Sequence, residues 1–230
     1  MTVRPYAPGD SMNRIHWKST ARHGEIQVKE FDLEQTADAW IVVDLQRSIQ
    51  TGRGDESTTE AGIRAAAAIA NKALVENRAV GMSVNARRPS QIPPDRGGRQ
   101  HLKVMQLLAA LEPDGEAPLV ESLVQTVGRL RRGMTAVVIT ASLDPAWVRV
   151  LATLRGRGVA CVVVLLDAQA FDRFGHQARA LANGETWTAD PERDETAAKR
   201  MRAMRHALAE YELKTYVIEP GRPLGEMLSA

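Results

Sequence analysis

The sequence predicts an α/β fold, a doubly wound and mostly parallel central sheet with helices on both faces. Four short runs are apolar almost throughout, at residues 40–43, 136–139, 159–166 and 216–218. Strands read this way when helices cover both faces of their sheet and no position faces water. Helical patterns with recognisable ends stand between these runs, and such alternation implies crossover connections and a doubly wound sheet. A chain of 230 residues, 44% of them hydrophobic, is long enough to bury a full-sized core.

The first thirty-odd residues stand outside that alternation. Tyr6-Ala7-Pro8-Gly9-Asp10 is turn chemistry, and residues 25–31 alternate as a half-exposed strand does. The first core strand, at 40–43, is followed by Ser57 and Glu60, a capping box opening an Ala-rich helix that is expected to run to Asn77. The run at 79–86 alternates more strongly and is predicted to lie nearer an edge. Leu119, Leu123, Val127 and Leu130 form one apolar stripe, and Arg129-Leu130-Arg131-Arg132-Gly133 reads as its end, with cations at the negative pole and a glycine to stop it. Asp144-Pro145 and Asp190-Pro191 each set an N-cap residue before a proline suited to the first helical position. Ala197, Met201, Met204, Leu208 and Tyr211 make a last helical stripe, with Lys199, Arg200, Arg202 and Arg205 largely off it as a solvated face. Loops are expected at 50–56, 87–98 and 112–117, which are rich in Gly, Pro or charge.

Composition excludes several classes. The formal net charge is +2 with 25% charged residues, so the whole molecule has no strong field to recruit nucleic acid or an anionic membrane. The single cysteine, Cys161, lies inside an apolar run, where a thiol acts as a small hydrophobe, and its solitude fits a reducing compartment. No run approaches the roughly 18–20 apolar residues that span a bilayer, and Met1 is not followed by a signal-peptide core, so the chain as given is expected to be soluble and unprocessed. There is no phosphate loop, dinucleotide fingerprint or nucleophile elbow, and the expectation is that the protein is not an enzyme. His23, His101, His176 and His206 lack metal-ligand spacing. Arg53-Gly54-Asp55 spells an adhesion tripeptide short enough to recur by chance.

Residues 3–22 read V-R-P-Y-A-P-G-D-S-M-N-R-I-H-W-K-S-T-A-R, with Arg4, Tyr6, Gly9, Asp10, His16, Trp17, Lys18 and Arg22 at characteristic places. This segment resembles the signature of a bacterial family called domain of unknown function fifty-eight, whose main domain is similar to the von Willebrand factor A fold. The resemblance implies a signature segment at 1–36 packing on a main domain at 37–230. It also implies a membrane hairpin upstream of the signature, a cytoplasmic location as the soluble part of an anchored protein, and MoxR-type AAA+ ATPases as neighbours. Von Willebrand A domains often hold a divalent cation through D-x-S-x-S after the first strand, a threonine and a later aspartate, the oxygen set a hard cation such as magnesium requires. Here Asp44 and Ser48 keep their places, Gln46 replaces the first serine, Arg47 adds a cation, Ala117 stands where the threonine is expected, and Ala141 follows Thr140 where the aspartate is usual.

The expected reading is therefore no cofactor, with Asp44, Ser48 and Asp144 as the residues that would hold a magnesium ion if one bound. In open α/β sheets ligands meet the carboxyl ends of the strands, so a protein partner, for which the resemblance implies a MoxR-type ATPase, is expected at the loops 44–48, 112–117 and 140–144. That rim includes Asp44, Gln46, Arg47, Ser48, Ala117, Thr140 and Asp144. Two rivals are a cation-dependent adhesion-type binder with a depleted metal site and a hydrolase using Asp10 and His16. In the signature itself the plainer expectation is structural, with Asp10 and Arg22 paired and Trp17 packed on a sheet edge.

Overall fold

The computed structural model describes residues 2–6, 15, 17–30 and 37–227, which fall into two compact units, Met1–Thr36 and Ala37–Ala230. In the first, β1 (Thr2–Pro5) pairs antiparallel with β2 (Gln27–Glu30), and α1 (Trp17–His23) lies between them in sequence. Tyr6 N extends the pairing by donating to Ile26 O at 2.8 Å.

The second unit is built on a six-stranded sheet. Its strands are β3 (Ala39–Asp44), β6 (Val80–Asn85), β7 (Ser90–Asp95), β8 (Thr135–Thr140), β9 (Ala160–Leu166) and β10 (Lys214–Ile218), and a small hairpin of β4 (Gly52–Arg53) and β5 (Glu56–Ser57) stands apart. The sheet order is β10-β9-β8-β3-β6-β7, parallel except for β7. Numbered one to six in chain order, these strands lie 3-2-1-4-5-6, the doubly wound arrangement with its switch point between β3 and β8.

Alternate residues of each central strand enter two separate cores. Ala39, Ile41 and Val43 of β3 face one, covered by α2 (Thr58–Val75) and α3 (Gly97–Ala109), with Phe171 of α6 (Ala168–Ala182) and Met227 of α8 (Leu224–Met227) added. Trp40 and Val42 face the other, covered by α4 (Leu119–Val127), α5 (Ala146–Gly156) and α7 (Pro191–Glu210). Both faces are dry, which is why the strands carry almost no polar residues. The alanines of α2 let it lie close to the sheet: a Cβ on Gly62 would touch Leu166 Cδ1 at 3.3 Å. Cys161 is buried in the second core, and burial pushes its thiol up to about 11, so it stays protonated and inert.

Several predicted ends hold. Ser57 Oγ accepts from Glu60 N at 3.1 Å, and Asp190 Oδ1 accepts from Arg193 N at 3.2 Å with Pro191 at the first helical position. The run at 79–86 lies next to the edge, with β7 alone pairing along its outer side. Others shift. Before α5 the end falls one residue late: Pro145 is the cap rather than the first helical residue, and Asp144 Oδ1 accepts from Ala146 N at 3.0 Å. β7 itself falls in the expected loop at 87–98; its Pro93-Pro94 argued against a strand, yet the strand is outermost and both prolines fall where its register on β6 shifts between Val80 and Met82, so neither amide is needed by the ladder. The hairpin β4–β5 likewise occupies the expected loop at 50–56. α2 ends at Val75, and α4 ends at Val127 with Gly128 as its cap, before the arginines read as its last turn.

Candidate functional site

Three strands end at the switch point with a polar residue: Asp44 on β3, Asn85 on β6 and Thr140 on β8. Asp44 is 2% exposed, and both its carboxylate oxygens are engaged. Thr140 Oγ1 donates to Oδ2 at 2.6 Å; Asn85 Nδ2 and Gln46 N donate to Oδ1 at 2.8 and 3.2 Å. The network continues outward on each side. Ser142 N donates to Thr140 Oγ1 at 2.9 Å, and Asn85 Nδ2 also donates to Ala117 O at 3.0 Å. Gln50 Nε2 donates to Asp44 O at 3.0 Å while its Oε1 accepts from Thr58 Oγ1, tying the start of α2 to the end of β3.

The backbone closes the same ring. Gly115 N donates to Leu45 O at 3.0 Å, and Arg47 N donates to Gly115 O at 2.8 Å. Gly115 is required by close approach: a Cβ there would stand 2.8 Å from Asn85 O and 2.9 Å from Leu45 O. Gly115→Ala is expected to push the 112–117 loop off β3 and cost about 1–3 kcal/mol of stability, read as a lower urea midpoint with an unchanged slope.

Burial pushes the Asp44 carboxyl above its ordinary 3.8, with the hydrogen bonds from Thr140, Asn85 and Gln46 pulling the other way. A hard divalent cation needs several oxygens with free lone pairs. The residues present do not fit one. Asp44 already receives three donors, Asn85 turns its donor amide toward the carboxylate, and Gln46 Nε2 donates to Ser48 Oγ at 2.8 Å. Ala117 and Ala141 bring no side-chain oxygen, and Asp144 is spent capping its own turn. Among the described residues no three His, Cys, Asp or Glu side chains gather as cation ligands.

Of the residues singled out in the sequence, the structure therefore joins Asp44, Gln46, Thr140 and, through its carbonyl, Ala117. Arg47, Ser48 and Asp144 are exposed beside this ring rather than on the carboxylate. Asn85, Ser142, Gly115 and Gln50 were missed. Asn85 had one readable signal, a polar residue closing an apolar run. In the first unit, Tyr6, Lys18 and Arg22 are exposed, and Arg4 lies on β1. Trp17 is 68% exposed and does not pack on a sheet edge. Gly9, Asp10 and His16 lie outside the described residues, and so does the expected pairing of Asp10 with Arg22.

Residues 2–214 match the family model described as protein of unknown function DUF58. The chain belongs to that family. The uncharacterized protein Rv1480 of Mycobacterium tuberculosis (strain ATCC 25618 / H37Rv) is 30% identical to this DUF58 chain over 171 residues, 71% of this chain and 53% of that protein. The uncharacterized protein YeaD of Bacillus subtilis (strain 168) is 25% identical over 144 residues, 62% of this chain and 34% of that one. The DUF58 chain thus spans about half, or less, of the length of these curated relatives. Among solved structures, an aerotolerance-related membrane protein from Bacteroides fragilis NCTC 9343 aligns with TM-score 0.46 and 16% identity, covering 76% of this chain and 99% of that one. The conserved hypothetical protein BatB from Bacteroides thetaiotaomicron aligns with TM-score 0.44 and 14% identity, covering 56% and 66%. No helix among the described residues is long and apolar enough to cross a membrane.

Proposed function

We propose that this chain is a non-enzymatic, metal-independent protein-binding module whose partner surface is the rim around Asp44, and that it serves as an adaptor for a MoxR-type AAA+ ATPase in envelope or complex assembly. The observation that carries the reading is the closed hydrogen-bond ring on the Asp44 carboxylate. It ties the loops at 44–48, 112–117 and 140–144 to the strand ends by hydrogen bonds, and a surface ordered in advance loses less entropy when a partner docks. Arg47, Glu116 and Asp144 are exposed on those loops and offer mixed charge, which selects a partner by complementarity. The ATPase, and a cytoplasmic position in a membrane-anchored protein, enter the proposal through the family resemblance.

The test is a pull-down from the native host with the wild type and with Arg47→Glu plus Asp144→Arg. The ATPase is expected on the wild type, with or without a chelator, and lost on the double variant. Recovery of other specific partners without the ATPase would remove the adaptor role. Calorimetry with magnesium, manganese and calcium is expected to show no saturable heat; saturable binding abolished by Asp44→Ala would replace this reading with a cation-dependent binder.

A further inference from the structure

We propose that two adjoining turns at the amino ends of β8 and β9 form a basic surface that docks on a layer of anionic phospholipid headgroups. The stretch leading into β8 carries Arg129, Arg131 and Arg132, and the end of α5 with the turn after it carries Arg155 and Arg157; all five are exposed. They are far apart in sequence, but the parallel register that pairs Thr135 with Ala160 sets the turns side by side. Gly133 N donates to Gly158 O, and Ala160 N to Met134 O, each at 2.9 Å. Gly158, at φ +82°, would place a Cβ 2.8 Å from Arg132 Cγ, so the stem of Arg132 lies across the neighbouring turn.

No Asp or Glu occurs within residues 128–135 or 153–160. Carboxylates on segments bonded to these turns are already engaged: Glu212 with Arg155, Asp38 with Arg96 at 3.1 Å, and Glu76 with Arg78 at 3.8 Å. Arg129, Arg131, Arg132 and Arg157 make no ion pair with any described residue. The dipole of α5 favours a cation at its end, where Arg155 lies in the last turn and Arg157 is the cap residue, whereas Arg129, Arg131 and Arg132 stand beyond the end of α4 at Val127, where that helix's field fades. All four guanidiniums without an ion pair among the described residues are exposed, on a chain whose net charge is only +2.

The kind of anion follows from the setting. Arginine forks match phosphate oxygens, and here each projects from an exposed turn and can take its own headgroup. Arginine clusters also take acidic peptide motifs, but these turns spend amides on each other and have few left to hold such a chain by its backbone. Single-stranded nucleic acid calls for stacking faces, and neither turn contains an aromatic residue. Leu130 and Met134 are each only 9% exposed, so no apolar side chain enters the bilayer and the contact rests on charge. The surface lies at the opposite end of β8 from Thr140, about 17 Å along the strand, and leaves the Asp44 rim free.

The test is flotation of the wild-type chain with vesicles of phosphatidylcholine alone and of phosphatidylcholine with phosphatidylglycerol. Binding is expected only to the second kind, falling as salt rises. Arg131→Gln with Arg132→Gln is expected to weaken it about thirtyfold, from roughly fivefold per charge near an anionic surface, while Lys103→Gln, an exposed cation lost from α3, leaves it unchanged. Circular dichroism checks the fold, and Arg157→Gln supplies a second variant should the pair not fold. The proposal fails if the wild type ignores phosphatidylglycerol, if these variants bind as the wild type does, or if polyglutamate or single-stranded RNA outcompetes the vesicles. Because the readout needs no ATPase, it stands or falls separately from the rim.

Discussion

Asp44→Ala is expected to lower the unfolding free energy by about 2–4 kcal/mol, because it strands two buried donors and a half-buried one, each costing up to about 1–3 kcal/mol when unpaired, less the relief of no longer burying a carboxylate. Those donors are the Thr140 hydroxyl, the Asn85 amide and the Gln46 backbone N–H. Urea unfolding measures the loss, and hydrogen exchange at the Gln46 and Ser142 amides is expected to quicken before the rest of the sheet. A loss under about 1 kcal/mol would show that the ring does not hold the rim. Asp44→Asn keeps the volume and gives a pH signature. The folded carboxyl titrates above its ordinary 3.8, so the stability this group supplies is full below 3.8 and is lost as pH rises through the folded value. Relative to wild type, Asp44→Asn should therefore gain ground as pH rises through the acid range above 3.8, and a difference that is flat or opposite in slope would contradict that placement.

Trp40→Ala is expected to cost about 3–5 kcal/mol through the cavity it leaves. The indole is 1% exposed, its Nε1 donates to Ser83 Oγ at 2.8 Å, and its ring lies so close over β6 that a Cβ on Gly81 would meet Cε3 at 2.7 Å. Ser83 also accepts from Thr126 Oγ1 at 3.4 Å, which links β3, β6 and α4. Trp40→Phe retains much of the packing and loses the hydrogen bond, so about 1–2 kcal/mol is expected there. Calorimetric unfolding of both variants separates the two contributions; equal losses would mean that the hydrogen bond, not the ring, carries the effect.

The site was half legible. Asp44 and Thr140 stood out because each closes an apolar run, and a strand's carboxyl end is where an open sheet meets its ligands. Asn85 went unread because its partner Asp44 lies 41 residues away, and an asparagine at a strand end looks like any turn residue. Gly115 is silent in sequence for a different reason: its need for a bare Cα arises from two backbone oxygens on other segments. β7 was hidden by its own prolines, whose cost depends on which side of the strand is left unpaired.

By itself the sequence determined the class of fold and the apolar strands and capped helices at its centre, though not β7 or the β4–β5 hairpin, since periodicity and end residues act over a few neighbours. It also carried the family signature. Which groups meet was decided only by the tertiary structure. Parallel pairing brings the turn that carries Arg131 and Arg132 beside the turn that carries Arg157, and Thr140 onto Asp44 across 96 residues. Contacts of that kind depend on register and strand order, which are properties of the assembled sheet and of no single segment.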